Sequence, residues 1–552
     1  MSSPPLNIDV RSDSESEPEP GWTRRKYDVP RRHGELLIVP TRSEIPEVIR
    51  RNAAWAQSLQ QSEIQSRSLP SLRREFRGQL LQAAVAHTSR WTSIESARLT
   101  ADRPLFISGH QPQLVHPGAW AKNLLLGLLA QEHSAVGLNL VVDNDLSPNQ
   151  SLIFPAGSQT SPRLEQLPFD ASQTGPWEEI YVQDPELART FPLRVQKQLE
   201  PWNIEPVLPQ VWSTVTSLIE RERSWPTLLT AARNRFERTL GIENLEIPVS
   251  HLSELPGFRF FTLDLLRRLE DFQAIHNRLL AEFRETYRIR STTHPVPELR
   301  QNGSWRESPF WVWKAGETRR RPLLLECSPT RLRLGDGNRD IADIEADPRR
   351  SEDWQRLLDI VSAQGWKIRP RALTLTLFAR VFLADLFIHG IGGARYDEMT
   401  DRLIHRFYGI QPPEFLTASA GWLLPLQPHS VTLGDEQRLR HQLWDLQQNP
   451  ERHLPSSEWS SLLKSELQAL AQSSFQRERR LNLEARRDFH RRISLARREL
   501  TPRISTEVDR LQQKIQEARH SLAANQVLNS REFSFALFPE PRIRELLARL
   551  KP

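Results

Sequence analysis

Short apolar runs alternate with polar, glycine-containing loops in two parts of the chain. In the first part, the apolar run Leu105–Ile107 leads to a loop with Gly109 and Pro117, then to a helical segment and a second apolar run at Leu138–Val142. This order predicts a strand–helix–strand unit. Parallel strands joined by a crossover helix point the same way, so their carboxyl ends open on one edge of the sheet. We therefore expect the first loop to lie near the acidic turn at residues 143–145.

The second part, residues 372–409, repeats this order. It is apolar up to Ile388, continues as His389-Gly390-Ile391-Gly392-Gly393, and predicts a helix from near Tyr396. The apolar portion is too long for a single strand, so it has room for a helix as well.

Between these two parts the pattern changes twice. Leu265, Leu269 and Phe272 belong to a run of apolar residues at three- and four-residue steps, which predicts a helical insertion at about 150–300. Short β-like runs then predict a small β-meander at about 305–336. Trp311 and Trp313 fall on one face of a strand there, and we interpret them as packing residues.

The C-terminal part predicts helices. Its apolar residues repeat as in a coiled-coil seam, at Phe489, Ile493, Ala496, Leu500, Ile504, Val508, Leu511, Ile515, Ala518 and Leu522. Thr501-Pro502 predicts a kink or a fresh helix start, and a helix near 457–475 is the candidate antiparallel partner. The predicted fold class is α/β, with a Rossmann-like parallel sheet core, helical insertions and a long C-terminal α-helical coiled coil. The predicted boundaries are a disordered Pro/Ser/Glu-rich segment at 1–34, the core at 35–430, the coiled coil at 431–526 and a tail returning to the core at 527–552.

Composition narrows the function classes. The 552 residues carry 74 basic and 68 acidic side chains, and the net charge of +6 permits nucleic-acid contact without indicating it. The arginines at 477–503 are interleaved with acids, which favours a solvated helix face over a nucleic-acid site. Cys327 is the single cysteine, so an internal disulfide framework and a Cys-based zinc site are excluded. No signal segment or membrane span is visible, and we expect a cytoplasmic protein without a membrane partner.

The first loop offers candidate catalytic side chains. We predict catalytic roles for His110, His116 and Asp143, because imidazoles can move a proton or donate to phosphate near neutral pH. Unpaired amides at a helix starting at Pro117 favour an anionic group, and Lys122, one turn further on, adds a positive charge. The alternative is that these residues are ordinary turn chemistry and that the aspartates cap turns.

Further side chains around both loops are predicted to bind substrate. Arg395 is a candidate carboxylate clamp, although the second loop matches neither the P-loop nor the dinucleotide fingerprint and also fits a tight turn. The histidines and aspartates include metal-ligand types, but no HxxxH or HExxH spacing supports a metal site, and none is predicted. The predicted substrate-binding residues are Gln111, Gln113, Lys122, Asn123, Asn144, Asp145, His389, Gly392, Gly393, Arg395, Tyr396 and Asp397.

Three segments resemble one known family. SGHQPQLVHPGAWAKNLLLGLLA resembles the Gly-Gln-Gln…Gly-Pro…Lys segment near the start of the bacillithiol-biosynthesis cysteine-adding enzymes, and VVDND stands in the place of that family's acidic Glu-Asp-His-Asp cluster. FIHGIGGARYDEMTDRLIHRFYGIQPP resembles the family's Gly-Gly-Pro-Gly-Glu segment, and FALFPEP resembles the aromatic-Pro segment that closes its C-terminal helices. This chain departs from the family at His110, which replaces the first Gln, at Asn144 in the acidic cluster, and at Gly392-Gly393-Ala394-Arg395, which lacks the Pro.

The resemblance covers roughly residues 100–425 and 435–545. It implies a nucleotide-binding synthetase architecture with a dimerising coiled coil, in a family that joins cysteine to an amino-sugar malate conjugate. We therefore expect a homodimeric enzyme of ligase or transferase type that joins an amine to a carboxylate of a small polar metabolite. The cofactor stays open, with ATP or another nucleotide as the candidate. The alternatives are a non-catalytic dimeric protein that binds a metabolite or partner, and a metal-dependent hydrolase.

Overall fold

The structure, a computed structural model, describes residues 21–23, 26–95, 99–293, 296–472 and 483–551. The chain divides into two units. The core unit comprises Met1–Phe154, Gln166–Leu423 and Arg531–Pro552, and the helical unit comprises Pro155–Glu165 and Leu424–Ser530.

The described residues form β-strands of two to ten residues. In chain order they are β1 (Glu35–Val39), β2 (Glu63–Ile64), β3 (Arg67–Ser68), β4 (Leu105–His110), β5 (Val136–Val141), β6 (Leu146–Ser147), β7 (Ser151–Ser158), β8 (Ser161–Pro168), β9 (Gly175–Pro176), β10 (Leu245–Pro248), β11 (Gln301–Asn302), β12 (Trp305–Lys314), β13 (Arg321–Ser328), β14 (Arg331–Gly335), β15 (Asp340–Glu345), β16 (Trp366–Pro370), β17 (Leu386–His389) and β18 (Phe415–Gly421).

The α-helices of the same residues are α1 (Ile45–Ser58), α2 (Leu69–Thr88), α3 (Pro117–Glu132), α4 (Pro185–Leu199), α5 (Leu208–Leu218), α6 (Trp225–Thr239), α7 (Val249–Leu252), α8 (Pro256–Arg267), α9 (Leu269–Tyr287), α10 (Ser351–Ala363), α11 (Ala372–Phe378), α12 (Ile391–Tyr408), α13 (Leu433–Gln448), α14 (Ser461–Gln472), α15 (Leu483–Arg498), α16 (Thr501–Leu528) and α17 (Glu540–Leu550). A π-helical segment, Ala379–Leu383, continues α11. None of the helices in the described ranges has both the length and the apolar character needed to cross a bilayer.

Six strands form the central sheet of the core unit, in the order β1-β18-β17-β4-β5-β10. The five strands from β18 to β10 are parallel, and β1 closes one edge antiparallel to β18. This confirms an α/β fold with a mostly parallel sheet core. The chain runs from β4 outward through β5 to β10 and later fills the other side with β17 and β18. The strand order therefore reverses between β4 and β17, and α/β sheets bind ligands at such switch points.

Both faces of the central sheet are covered. Every residue of β5 is buried, as expected for a parallel strand between two layers. On one face, Leu125, Leu126 and Leu129 of α3 pack with Phe106 of β4. The other face belongs to a larger apolar cluster that includes residues of α2, α8 and α9. This packing fixes the position of α3, which follows β4 and the last residue of that strand, His110.

The stretch at 150–300 differs from the predicted helical insertion. It contains the strands β7 and β8, and also β10, which extends the central sheet beside β5. The strand β10 has the sequence Leu-Glu-Ile-Pro, and four residues give no clear period in the apolar pattern. Its place in the sheet was therefore not visible in the sequence.

The second sheet of the core unit is larger than the predicted meander. It consists of β11 to β15, with β16 paired to β12, and so reaches from residue 301 to residue 370. The helix α10 separates β16 from the meander in sequence, which hid their pairing. Trp313 is fully buried, as expected for a packing residue, whereas Trp311 is only half-buried.

In the helical unit, the apolar seam packs within this chain. Leu446 of α13 contacts Ile504 and Leu511 of α16, while Glu436 pairs with Arg519 at 3.0 Å, so α13 and α16 run antiparallel. The apolar side chains of α14 and α15 form a second small cluster. At Thr501-Pro502 a new helix begins instead of a kink, with Pro502 in its first turn. The predicted position Phe489 and residues 473–482 lie outside the side chains that the structure describes.

The predictions for the two ends of the chain have different outcomes. Of the segment 1–34 predicted as disordered, residues 1–20 lie outside the described part, but Tyr27 is buried in the core and Pro30 accepts a hydrogen bond from Arg531. The prediction is therefore wrong for residues 26–34. The C-terminal tail belongs to the core unit, where Phe535 stacks on Trp120 with ring centroids 4.2 Å apart.

Candidate functional site

A cavity of about 750 Å³ lies at the carboxyl ends of β4 and β17, where the strand order reverses. This volume is typical of a small-molecule site. We call it the site cavity. Both loops singled out in the sequence contribute to it, because Ser108 and Ile388 are paired on adjacent strands across 280 residues of sequence. The predicted residues that line it are His110, Gln111, His116, Lys122, Asn144, Asp145, His389, Gly392 and Gly393.

Six predicted residues do not line the site cavity: Gln113, Asn123, Asp143, Arg395, Tyr396 and Asp397. The helix α12 begins at Ile391, before the predicted start near Tyr396, so Gly392 and Gly393 occupy its first turn. Arg395 lies one turn later, is exposed, and is not at the cavity wall. The predicted role of Arg395 as a carboxylate clamp therefore has no support from its position.

Asp143 lies beneath the cavity wall. Its carboxylate accepts hydrogen bonds from the backbone N–H of Ser250, at 2.9 Å, and from the Ser250 hydroxyl. Burial, together with the nearby Glu178 carboxylate, raises the pKa of Asp143. The predicted catalytic role of Asp143 in direct contact with substrate thus has no support from this geometry, because Asp143 does not line the cavity and both of its oxygens accept hydrogen bonds from Ser250.

Lys122 is the most unusual side chain of the site cavity. It is only 4% exposed, and its ammonium nitrogen donates to the carbonyl oxygen of Gly109 at the end of β4. Within the described residues, no carboxylate lies within 4.0 Å of it. Burial and the nearby Arg233 guanidinium lower the pKa of Lys122 to about 7. An amine with this pKa changes charge near neutral pH, which is frequent at functional sites.

The two histidines of the first loop are neutral at pH 7. Burial lowers the pKa of His110 well below its usual value, and the Lys122 ammonium lowers it further. Burial also lowers the pKa of His116, although the Glu532 carboxylate, 4.0 Å away, acts in the opposite direction. The Nδ1 atom of His116 is buried and has no hydrogen-bond partner among the described residues. Neutral imidazoles can accept a proton or donate a hydrogen bond to a ligand.

A hydrogen bond to Asp397 holds the His389 ring in one orientation. Its Nε2 lies 2.8 Å from Asp397, whose other neighbour is the Arg380 guanidinium at 2.6 Å. Burial alone would raise the pKa of Asp397, but Arg380 and His389 lower it to about 2. An ionised carboxylate can only accept, so Nε2 of His389 donates the hydrogen bond to Asp397. Asp397 therefore acts through His389 and does not itself bind substrate.

The first turn of α12 passes close to the His389 ring. A Cβ atom added at Gly393 would lie 2.7 Å from Nδ1 of His389, whereas one added at Gly392 would meet nothing within 4 Å. A glycine at position 393 is therefore needed for the imidazole to keep its place.

We expect Gly393→Ala and Gly392→Ala to change stability in opposite directions. Alanine is the better helix former, so Gly392→Ala should stabilise the protein slightly, by up to about 1 kcal/mol. Gly393→Ala should destabilise it, because the new methyl group pushes His389 away from Asp397. Urea unfolding of both variants measures the two signs. Equal stabilisation by both variants would show that the His389 ring is free to move.

The cavity wall also contains residues that lie far in sequence from the two loops. The sequence analysis did not predict them as site residues. Arg320 donates to the backbone oxygen of Asn144 and to Asp145, each at 2.8 Å. The guanidinium groups of Arg320 and Arg371 lie 4.8 and 4.2 Å from the centre of the Trp311 ring, which also lines the cavity. Trp311 is therefore part of the cavity wall and not only a packing residue. The run Arg319-Arg320-Arg321 was the one local signal, and its charge alone gave no location.

Arg531 of the C-terminal tail closes another side of the cavity. It donates to the backbone oxygens of Pro30, at 2.7 Å, and of Ala420, at 3.3 Å. Any side chain at Gly118 would collide with Arg531 and with Ala420, so a glycine at position 118 permits this approach. Nothing local in the sequence around residue 531 indicated this position.

The lining of the site cavity carries excess positive charge. Lys122, Arg320, Arg371 and Arg531 face two acidic lining residues, Asp145 and Glu532. The glycines at the start of α12 also present the positive end of a helix dipole without covering side chains. Among the described residues, no cluster of three or more His, Cys, Asp or Glu could hold a metal ion. The arrangement favours an anionic organic ligand.

No protein-family model matches the chain, and no curated protein matches it either.

Proposed function

We propose that the site cavity binds a small anionic metabolite and that the protein joins an amine to a carboxylate of this ligand, as a ligase or transferase. The observation that carries the proposal is Lys122, a buried amine at the wall of a sheet switch-point cavity with no carboxylate partner among the described residues. An anionic ligand would supply the missing partner.

Different lining residues of the cavity favour different parts of a ligand. Lys122, Arg531 and the open start of α12 suit a phosphate or carboxylate. Asp145 and Asn144 supply acceptors for an amine, and the buried Oδ1 of Asn144 has no hydrogen-bond partner in the described part of the chain. His389, oriented by Asp397, suits a general base that takes the proton from the attacking amine. Amine and carboxylate recognition in one cavity supports the ligase reaction.

The resemblance to the bacillithiol cysteine-adding enzymes supports the same reaction type. Two of the three segments that carry it, around His110 and around Gly392, line the site cavity. ATP or another nucleotide remains the candidate cofactor, with its phosphates at the start of α12.

A non-catalytic metabolite-binding protein is the second candidate. The position of Asp143 favours it, because this predicted catalytic residue is engaged by Ser250 and does not line the cavity. A metal-dependent hydrolase has no supporting ligand cluster among the described residues.

Two experiments in sequence test the ligase reaction. Native mass spectrometry of freshly purified protein identifies any co-purified small molecule. The identified carboxylate, labelled with ¹⁸O, is then incubated with ATP and a panel of amines. Activation of the carboxylate by ATP transfers ¹⁸O to the released phosphate, and His389→Gln should lose this transfer while still binding the ligand. Binding without ¹⁸O transfer for any amine would support the non-catalytic candidate.

The affinity of the site cavity for sulfate should fall as the pH rises above 7. Sulfate keeps its charge over this range, whereas Lys122, with a pKa of about 7, loses its proton. Because the bound anion favours the ammonium form, affinity should fall by up to about tenfold per pH unit. Calorimetric titrations at several pH values measure this slope. An equal slope in Lys122→Met would assign it to another group.

We further propose that the protein is a homodimer formed through the helical unit, as the family resemblance implies. Leu433, Trp444, Leu462 and Leu495 of this unit are between 45% and 69% exposed and could pack on a second copy. Light scattering coupled to size-exclusion chromatography measures the subunit number.

A further inference from the structure

The buried cations among the described residues of the core unit fall into two groups. Five arginines have carboxylate partners at 2.6–3.1 Å: Arg73, Arg77, Arg233, Arg369 and Arg380. Lys122 is as buried as these arginines, yet its nitrogen finds only the Gly109 carbonyl among the described residues. A buried charge without a partner is costly, whereas a neutral amine is satisfied by this one hydrogen bond. The fold therefore stabilises the form of Lys122 that carries a nucleophilic lone pair.

The position of Lys122 makes this lone pair useful. The side chain lines the site cavity next to His110 and His116, and the wall also carries Arg531. A ligand with an anionic group and a carbonyl carbon would find a charged anchor and a neutral amine in one cavity. Lysines with lowered pKa serve as nucleophiles toward carbonyl groups at other functional sites.

We propose that the Lys122 amine forms a covalent imine with an anionic aldehyde or 2-oxo acid bound in the site cavity. The lone pair of Nζ attacks the carbonyl carbon and forms a carbinolamine. A neighbouring neutral imidazole carries one nitrogen proton to the oxygen to give the hydroxyl group, and then carries the second, so that the oxygen leaves as water when the C=N bond forms. Both nitrogen protons end in that water molecule, so no oxidant or reductant is needed. This chemistry does not depend on the ligase reaction.

The low lysine content makes the proposal easy to test. The chain has eight lysines, Lys26, Lys122, Lys197, Lys314, Lys367, Lys464, Lys514 and Lys551. The probe is pyridoxal 5′-phosphate, an anionic aldehyde, followed by reduction with borohydride and peptide mapping of the intact chain. Near pH 7.5 the unprotonated fraction of an ordinary lysine is about a thousandth, so labelling of Lys122 should exceed that of exposed lysines at least ~10-fold. Its yield should depend on pH with a midpoint near 7 and not near 10.

Matched variants complete the experiment. Lys122→Arg keeps a positive charge but cannot form an imine, so the saturable adduct should disappear. Lys367→Arg removes a lysine that is paired with Glu178 and Glu179 and is not at the cavity wall, so the adduct should remain. Pyridoxine 5′-phosphate, which has the anion but no aldehyde, should protect Lys122.

The outcomes separate this inference from the proposed function. Adducts spread over exposed lysines with none at Lys122 would overturn the imine, and the peptide map of the unsubstituted protein decides this even if a variant fails to fold. If Lys122 stays unlabelled while sulfate still binds, the imine fails and the anion site stands. If Lys122 is not labelled and sulfate does not bind, the imine and the anion site both fail.

Discussion

Replacement of Lys122 by methionine is expected to stabilise the unliganded protein and to remove most of its affinity for sulfate. The variant deletes a buried amine that has no carboxylate partner among the described residues. Because each unit of pKa shift corresponds to about 1.4 kcal/mol, and the Gly109 carbonyl loses its donor, we expect a net gain of about 2–4 kcal/mol at pH 7. Loss of the charged hydrogen bond should weaken sulfate binding roughly 10- to 100-fold. Urea unfolding and calorimetry measure the two effects.

Lys122→Met should also change how the free energy of unfolding depends on pH. The folded chain holds the Lys122 proton less tightly than the unfolded chain does, because burial lowers its pKa to about 7. The loss of stability caused by burying the Lys122 ammonium is complete below about pH 7. It vanishes as the pH approaches 10.5, the usual pKa of lysine. The free energy of unfolding should therefore gain a positive slope between these values, and Lys122→Met should lack it.

Lys367→Met is the matched control for Lys122→Met. Lys367 is also partly buried, but it pairs with Glu178 at 2.9 Å and with Glu179 at 2.6 Å. Its removal should lower stability, since two carboxylates lose a partner. If both variants lowered stability, Lys122 would be an ordinary structural lysine, and the anion site would lose its basis.

Arg233→Met is expected to cause the largest loss of stability in the core unit, about 3–5 kcal/mol. The Arg233 guanidinium pairs with Glu237 at 2.8 Å and with Glu246 at 2.7 Å, and both carboxylates are fully buried. Glu237 also accepts from Trp120 at 2.7 Å. Removal of the guanidinium takes away the cation that both buried carboxylates contact. Chemical unfolding followed by tryptophan fluorescence measures the loss.

Arg331→Met provides the surface comparison. Arg331 makes a two-pronged ion pair with Asp343, at 2.6 Å for both hydrogen bonds, but its side chain is 57% exposed. Water screens such a pair, so its removal should leave the unfolding curve unchanged. A similar loss in both arginine variants would mean that burial does not govern the Arg233 network.

The strand–helix–strand unit was predictable because its rules are local. The run at Leu105–Ile107, the proline at the start of α3 and the buried strand β5 all leave a sequence pattern. The parallel crossover then brings the loop after β4 to the turn at 143–145, and Gln111 does donate to Asp145 at 2.9 Å. The second loop was also found, but the start of α12 was placed several residues late. That error turned Arg395 into an apparent ligand.

Asp143 shows what a local sequence pattern cannot decide. Asp143 and Asp145 look alike in the sequence, yet one is held by Ser250 and the other lines the cavity. The partner that decides the difference lies more than 100 residues away. A polar residue at a strand end can face a ligand or a neighbouring backbone, and the alternation of apolar positions does not distinguish the two.

The sequence by itself determined the α/β class, the two loops with their histidines and glycines, and the rarity of lysine. Only the tertiary structure decided that β17 lies beside β4, that Arg320, Arg371 and Arg531 reach the same cavity, and that Lys122 is buried there with no carboxylate partner among the described residues. The physical reason is that charge state depends on solvation and on neighbouring charges. Those neighbours come from segments that are hundreds of residues apart, and only the packed chain brings them together.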